Sequence, residues 1–315
     1  MEQPGSVEDL ERLLAGERYV ADRSLALSIY LALKLKRPLF LEGEAGVGKT
    51  EVAKALSAAL GTDLVRLQCY EGLDVSHALY EWNYPRQLLE IRMLEASHAL
   101  DDRTGGETVD ARRARATGQL FTEPFLIKRP LLRALTHEPG EIPVLLIDEI
   151  DRADEEFEGF LLELLSDFQI TIPELGTIAA AEPPIVVLTS NRTREVHDAL
   201  KRRCLYHWIP YPGFDKEYRI IMARMPDTPR LLGEQVAAFV QELRSADLHK
   251  MAGISETLDW IAALVALDQR QLDEAIVEDT LGILLKDHDD IEAMRGDRVR
   301  TLVADAKLKA VASRS

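Results

Sequence analysis

Cysteine is scarce. Cys69 and Cys204 are the only two, far apart and in no metal-binding or redox spacing, which argues against a disulfide framework or a structural zinc site and fits a reducing cytoplasm. The seven histidines form no ligand-spaced group, so no transition-metal site is expected. Long hydrophobic runs are also missing. None approaches the ~18 residues that span a membrane, and the apolar stretch Leu25–Leu33 is closed by Lys34, Lys36 and Arg37. The opening "MEQPGSVEDLERLL" is acidic and has no apolar core, unlike a signal peptide. Positive charge is in deficit. With 38 Lys and Arg against 54 Asp and Glu, the net charge of −16 opposes nonspecific binding to nucleic acid. The best candidate for a local basic patch, "DARRARATG" (110–118) beside Gly105 and Gly106, reads as a solvated loop.

What is present is an ordinary globular composition, 46 % hydrophobic and 29 % charged, over 315 residues, a length that suits about two domains. "RPLFLEG" (37–43) is an apolar strand, "TEVAKALSAALG" (50–61) a helix stopped by Gly61, and "DLVRLQC" (63–69) a second strand that completes a βαβ unit. Helical spacing returns in "PRQLLEIRMLEASHAL", in "RPLLRAL" (129–135) and in "DEEFEGFLLELLSDF". "PVLLIDE" (143–149) is a nearly continuous apolar run, as in a strand covered on both faces. "QITIPELGTIAA" (169–180) resembles a hairpin, and "PIVVLTSN" and "LYHWIP" read as further strands. Beyond Pro212–Gly213 only helical patterns follow. The fold class is therefore α/β: a parallel-sheet core over 37–213, a small all-helical unit over 214–285, a helical lead-in over 1–36 and a helical tail over 286–315.

"GEAGVGKT", comprising Gly43, Glu44, Ala45, Gly46, Val47, Gly48, Lys49 and Thr50, fits the phosphate-binding pattern G-x-x-x-x-G-K-[ST] between a strand and a helix. Glycines let backbone N–H groups turn inward around phosphate oxygens, and the helix N-terminus adds positive potential. Lys49, expected in an exposed loop, would neutralise the β- and γ-phosphates, and Thr50 would supply a Mg²⁺ ligand. "VLLIDE" ends its strand in two carboxylates. Asp148 would hold the Mg²⁺ through water or directly, and Glu149 could accept the proton of an attacking water. Trp82, Tyr84 and Trp208 are read as packing residues.

A phosphate loop, a strand ending Asp-Glu, a later strand ending in Asn and a helix ending in Arg, followed by a helical unit, together resemble an AAA+ ATPase with an αβα core and a helical lid. "LEGEAGVGKTEVAKAL" and "LLIDEIDRADEEFEGFLLELLSDFQ" resemble the MoxR family. "QCYEGLD", "ALYEWNYPRQLLEIR" and "LKRRCLYHWIPYP" are similar to its CoxD-like branch. The resemblance is dense from about Arg37 to Pro212, loose through the helical unit and absent after about Lys286. It implies that Asn191 is the sensor-1 amide, which orients the attacking water. It also implies that Arg203, with Arg202 as its competitor, is the arginine finger inserted into a neighbouring subunit. The resemblance departs at "GISETLDW", where Thr257 stands at the place of a sensor-2 arginine, so the helix is expected without its charge and with Ser255 as its N-cap. Family inserts would lie around "FTEPFLIKRPLL" (121–132) and "TIPELGT" (171–177), facing a pore or client protein.

By the same resemblance, the expected protein is a homo-oligomeric ring, a hexamer, that hydrolyses Mg-ATP to remodel a protein client in the cytoplasm. The branch implies maturation of a metalloenzyme of the molybdenum hydroxylase (carbon monoxide dehydrogenase) type and a von Willebrand factor A domain partner. The alternative is a nucleic-acid motor or clamp loader on the same fold, against which the net charge and the lack of an appended DNA-binding domain count. A nucleotide switch without turnover and a small-molecule kinase fit the residues less well.

Overall fold

The computed structural model describes residues 4–96 and 120–312, so the basic stretch 110–118 lies outside the described residues. Helices α1 (Val7–Gly16) and α2 (Arg23–Leu35) lead into β1 (Leu39–Gly43), α3 (Lys49–Leu60) and β2 (Leu64–Gln68). Next come α4 (Val75–Leu79), β3 (Tyr80–Trp82), α5 (Tyr84–Ala96), β4 (Leu126–Lys128) and α6 (Pro130–Leu135). β5 (Val144–Asp148), α7 (Glu155–Asp167), the hairpin β6 (Gln169–Ile172) and β7 (Gly176–Ala179), β8 (Ile185–Ser190), α8 (Asp198–Arg203) and β9 (Leu205–Ile209) complete the first region.

Five strands form one parallel sheet in the order β2-β5-β8-β1-β9. The βαβ unit expected of β1, α3 and β2 joins strands that are parallel in one sheet but not adjacent: β1 and β2 are separated by β5 and β8. The two intervening strands are the most apolar in the chain, and the centre of a doubly covered sheet is where such strands bury both faces. Alternation along each strand supplies both cores. Phe40, Leu145, Ile147, Val186 and Leu188 point to the side carrying Phe157, Leu161 and Leu164 of α7. Leu39, Leu41, Val144, Leu146 and Val187 meet Leu10 and Leu14 of α1, Leu25 and Ile29 of α2, and Val52 and Leu56 of α3. The helical lead-in thus forms part of the layer that covers the sheet.

Outside the sheet, β3 pairs antiparallel with β4, so the segment around 121–132 contributes a small ribbon of its own. Trp82 is buried, with Phe121 edge-on at 5.1 Å. Tyr84 departs from the packing role expected of it: it is 58 % exposed, on the outward face of α5 with Leu88, Leu89 and Met93. Trp208 is half-buried under the guanidinium of Arg192.

After Pro212 the chain is helical: α9 (Phe214–Arg224), α10 (Arg230–Arg244), α11 (Ile254–Ala266), α12 (Glu274–Leu284), α13 (His288–Met294) and α14 (Asp297–Ala312). They close around Phe239 and Trp260, whose rings lie 5.1 Å apart, with Val236, Val240, Ile261, Leu264, Val277 and Leu281. The segment after Lys286 is no separate tail. Met294, Val299, Val303 and Ala306 sit in this same core, because α14 offers an apolar stripe that α10 covers.

Candidate nucleotide site

The loop between β1 and α3 sits at the C-terminal edge of the sheet, where parallel strands leave a crevice. Gly48 caps α3 with φ +91°, a conformation that side chains other than glycine rarely adopt. Lys49 corrects the expectation of an exposed loop lysine. It is the first residue of α3, is only 6 % exposed, and its Nζ donates to the carbonyls of Gly43 (2.8 Å) and Glu44 (2.6 Å). Burial pulls the ammonium below the usual lysine range, while Asp151, Glu44, Asp148 and Glu149 oppose that pull.

The helical region meets this loop through backbone. The amide of Ile254, first residue of α11, donates to Gly46 O at 2.8 Å. A Cβ on Gly253 would fall 2.7 Å from Gly46 Cα, so both positions must lack side chains for the chains to approach this closely. Gly253, not Ser255, is the N-cap of α11, and Glu256 folds back to accept from its amide at 3.0 Å. Thr257, at the expected arginine position, is fully buried and turns away from the loop, donating to Glu217 Oε1 (2.9 Å) and Gly253 O (3.0 Å). The cations that line the cavity beside Gly46–Gly48 are instead Arg18, Lys216 and Arg224. Arg224 also pairs with Glu51 of α3 at 2.9 Å.

At the end of β5, Asp148 is 1 % exposed. Its Oδ1 accepts from the hydroxyls of Thr50 (3.0 Å) and Thr189 (2.6 Å), and its Oδ2 accepts from Arg66 Nη2 (2.6 Å) and Nε (3.0 Å). Glu149 leaves the strand at φ +55°, ψ +51°, an uncommon conformation for a residue with a side chain. Its Oε2 accepts from Gln68 Nε2 at 3.0 Å and lies 3.3 Å from Arg152 Nε, while Asn191 Nδ2 reaches its Oε1 at 3.4 Å. Asn191 is held by its backbone: its amide and that of Thr193 donate to the buried Asp151 at 3.2 and 2.9 Å. The structure thus brings Lys49, Thr50, Asp148, Glu149 and Asn191 to one edge of the sheet.

No role is read from the sequence for Arg66, Gln68, Thr189, Asp151 or Arg152, although Gln68, Asp151 and Arg152 lie within segments that carry the family resemblance. The polar alternation Arg66–Gln68 in "DLVRLQC" is a visible signal. It points to Asp148 only once β2 is known to lie beside β5, with Gln68 in register with Asp148.

Arg202 and Arg203 end α8 and are exposed. The carbonyls at that helix end are met by Arg37, whose Nη2 and Nε donate to Arg202 O (2.9 Å) and Arg203 O (3.2 Å). Lys201 turns inward to the buried Glu42 at 3.1 Å. Among the described residues, neither the Arg202 nor the Arg203 guanidinium makes a hydrogen bond or ion pair. Behind them Cys204 is buried, and loss of solvent pushes its thiol up to about 12; the same burial does so for Cys69.

A second cluster lies in the helical region, where side-chain atoms of His249, Asp287 and Asp290 all fall within 4.8 Å of one another. Its carboxylates serve the backbone: Asp290 accepts from the amides of His249 (2.9 Å) and Lys250 (3.0 Å), and Asp287 caps α13.

Among the described residues, no helix is long and apolar enough to cross a membrane. The chain is 26 % identical over 232 residues to the uncharacterized protein YeaC of Bacillus subtilis (strain 168), a match covering 71 % of this chain and 57 % of that protein. Among solved structures it is similar to RuvB of Thermotoga maritima, the Holliday junction branch migration motor. That match has a TM-score of 0.44 and 16 % identity, over 99 % of this chain and 91 % of that one. A point variant of the same protein gives a TM-score of 0.46 at 16 % identity, over 98 % and 88 %. The family model for the AAA domain, dynein-related subfamily, matches residues 38–204, more than half of the sequence, and with the five-stranded parallel sheet and its phosphate loop it places the chain in that family of AAA+ ATPases.

Proposed function

We propose that this chain binds Mg-ATP at Gly43–Thr50 and hydrolyses it to ADP and phosphate as one subunit of a homo-oligomeric ring, a hexamer. On this reading it belongs to the MoxR family, in its CoxD-like branch. The nucleotide-binding unit is 37–213, with the lead-in helices packed on its sheet, and the lid begins at 214 and includes the segment after Lys286 that shares its core. The observation that carries the reading is the meeting of Thr50, Asp148, Glu149 and Asn191 beside the loop, while two exposed arginines end α8 with no partner among the described residues.

The donor set fits Mg²⁺: Thr50 Oγ1 and Asp148 Oδ1 are hard oxygens 3.0 Å apart, with no sulfur or imidazole among them. Thr50 and Asp148 would hold the ion, which would supply positive charge to offset that of the phosphates. Lys49, now hydrogen-bonded to two loop carbonyls, would neutralise the phosphates. Glu149 would take the proton of the attacking water, with Asn191 orienting that water. Arg203, or its neighbour Arg202, would reach the adjacent subunit's phosphoryl group. The apolar walls of the cavity beside Gly46–Gly48, including Tyr19, Val20, Ile220 and Leu258, would take the base.

The work done with this energy is remodelling of a protein client. We assign that client to metalloenzyme maturation, of the molybdenum hydroxylase type, with a von Willebrand factor A domain protein as partner. These assignments follow from the resemblance of "QCYEGLD", "ALYEWNYPRQLLEIR" and "LKRRCLYHWIPYP" alone. The net charge of −16 continues to weigh against a nucleic-acid motor.

Mixed rings test the reading. Arg203→Ala is expected to bind ATP and hydrolyse it poorly, and Lys49→Ala to lose ATP binding while keeping its arginine finger. Mixing the two inactive variants should restore part of the steady-state ATPase rate, because some intact sites then face an intact Arg203. Wild-type turnover by Arg203→Ala in assembled rings would end the finger assignment, and Arg202→Ala in the same assay tells the neighbours apart.

A further inference from the structure

The two oxygens of Asp148 have different neighbours. Oδ1 faces the hydroxyls of Thr50 and Thr189, beside the loop. Oδ2 is held on the other side by two nitrogens of Arg66, Nη2 at 2.6 Å and Nε at 3.0 Å. Arg66 reaches it from β2, two residues before Gln68, and alternate residues of a strand share a face. A further bond from Arg66 Nη2 to Gln68 Oε1 at 2.5 Å fixes the plane of the guanidinium. The carboxylate side chain is 2 % exposed and the arginine side chain 48 %, so the cation closes Asp148 from the solvent side.

We propose that Arg66 is a positioning residue for the metal: by occupying Oδ2 of Asp148 it leaves Oδ1 as the single oxygen offered beside Thr50, and so sets a preference for Mg²⁺ over Ca²⁺. Mg²⁺ is small, keeps octahedral geometry and several waters, and is served by single carboxylate oxygens. Ca²⁺ takes six to eight oxygens and accepts a carboxylate through both. A planar fork on Oδ2 denies the second mode of binding. It also removes negative charge from the site, so both dications bind less tightly than they would to a free aspartate. The proposal rests on the Mg-ATP reading above.

The test is calorimetric titration of the full chain with a non-hydrolysable ATP analogue, in Mg²⁺, in Ca²⁺ and in EDTA, for wild type, Arg66→Gln and Arg66→Lys. In Arg66→Gln the gain in Ca²⁺-supported affinity is expected to exceed the gain with Mg²⁺, lowering the Mg²⁺/Ca²⁺ preference about tenfold, with the EDTA arm unchanged. Arg66→Lys keeps the charge without the fork and should lower the ratio about threefold. An unchanged ratio in both variants overturns the proposal. So does an equal shift in all three arms, which would mean that Arg66 shapes the loop rather than the metal ligand. If Arg66→Gln does not fold, the ratio in Arg66→Lys decides. If wild type binds the analogue in no arm, the nucleotide reading itself falls and takes this proposal with it, a result distinct from binding with an unchanged ratio.

Discussion

Asp148 in the sheet and Glu217 in the helical region are both buried carboxylates facing an arginine, and they differ in what closes around them. Around Glu217 every direction is filled. Oε2 accepts from Arg244 Nη1 (2.5 Å) and Gln241 Nε2 (2.9 Å), and Oε1 from Arg244 Nη2 (2.9 Å) and Thr257 Oγ1 (2.9 Å). Arg244 gives its Nε to Ala252 O (2.8 Å), lies 4.8 Å from the Tyr211 ring, and is 7 % exposed against 48 % for Arg66. The closed pair ties α9, α10 and the start of α11 into one unit. The open pair leaves Asp148 one oxygen toward the loop. The same pairing of a carboxylate with an arginine makes a strut in one region and, on the proposed reading, a metal ligand in the other, and the two arginines differ in burial.

Breaking the closed pair should have the largest effect. Arg244→Met leaves Glu217 charged and buried, which costs about 3–5 kcal/mol. Urea denaturation followed by circular dichroism should show the loss, whereas Arg66→Gln should cost less, because removing the half-exposed guanidinium lets water reach Asp148. A loss of similar size in both variants would erase the distinction.

Thr257→Arg comes next. Thr257 is fully buried and donates to Glu217 rather than to the phosphate loop. The longer side chain is expected to destabilise by about 1–3 kcal/mol through overpacking. It should leave the ratio of ATP to ADP affinity in a fluorescence titration unchanged. A selective gain for ATP would show that α11 can turn to present this position to the nucleotide.

The smallest effect concerns His249, whose pKa is raised above its usual 6.5 by its hydrogen bond to Asp290 and by the charges of Asp290 and Asp287. Because the folded value is the higher one, the protonated pair stabilises fully below about pH 6.5 and the contribution is lost as pH rises through the folded value. His249→Gln should therefore lower the melting temperature at about pH 6 and have little effect at about pH 8.5. Equal effects at both values would mean that His249 acts by packing, not charge.

Much of this molecule is legible from the sequence because it is carried by short segments. "GEAGVGKT" must turn where it does, since Gly48 adopts φ +91° and the following residues propagate a helix. The apolar run Val144–Ile147 had to be a central strand, and the periodicity after Phe214 had to give helices. The order of elements, the loop and the two carboxylates at a strand end follow from local stereochemistry and from the need to bury apolar faces. Tertiary structure alone decided which strands are neighbours, because hydrogen bonds between parallel strands carry no sequence label. That choice put β2 beside β5 and so put Arg66 on Asp148 and Gln68 on Glu149. Long-range packing likewise set Thr257 against Glu217, gave Lys201 to Glu42 and Arg37 to the carbonyls of α8, and left Arg202 and Arg203 facing outward. A charge announces itself in sequence, but its partner is fixed only when distant segments compete to satisfy it inside one fold.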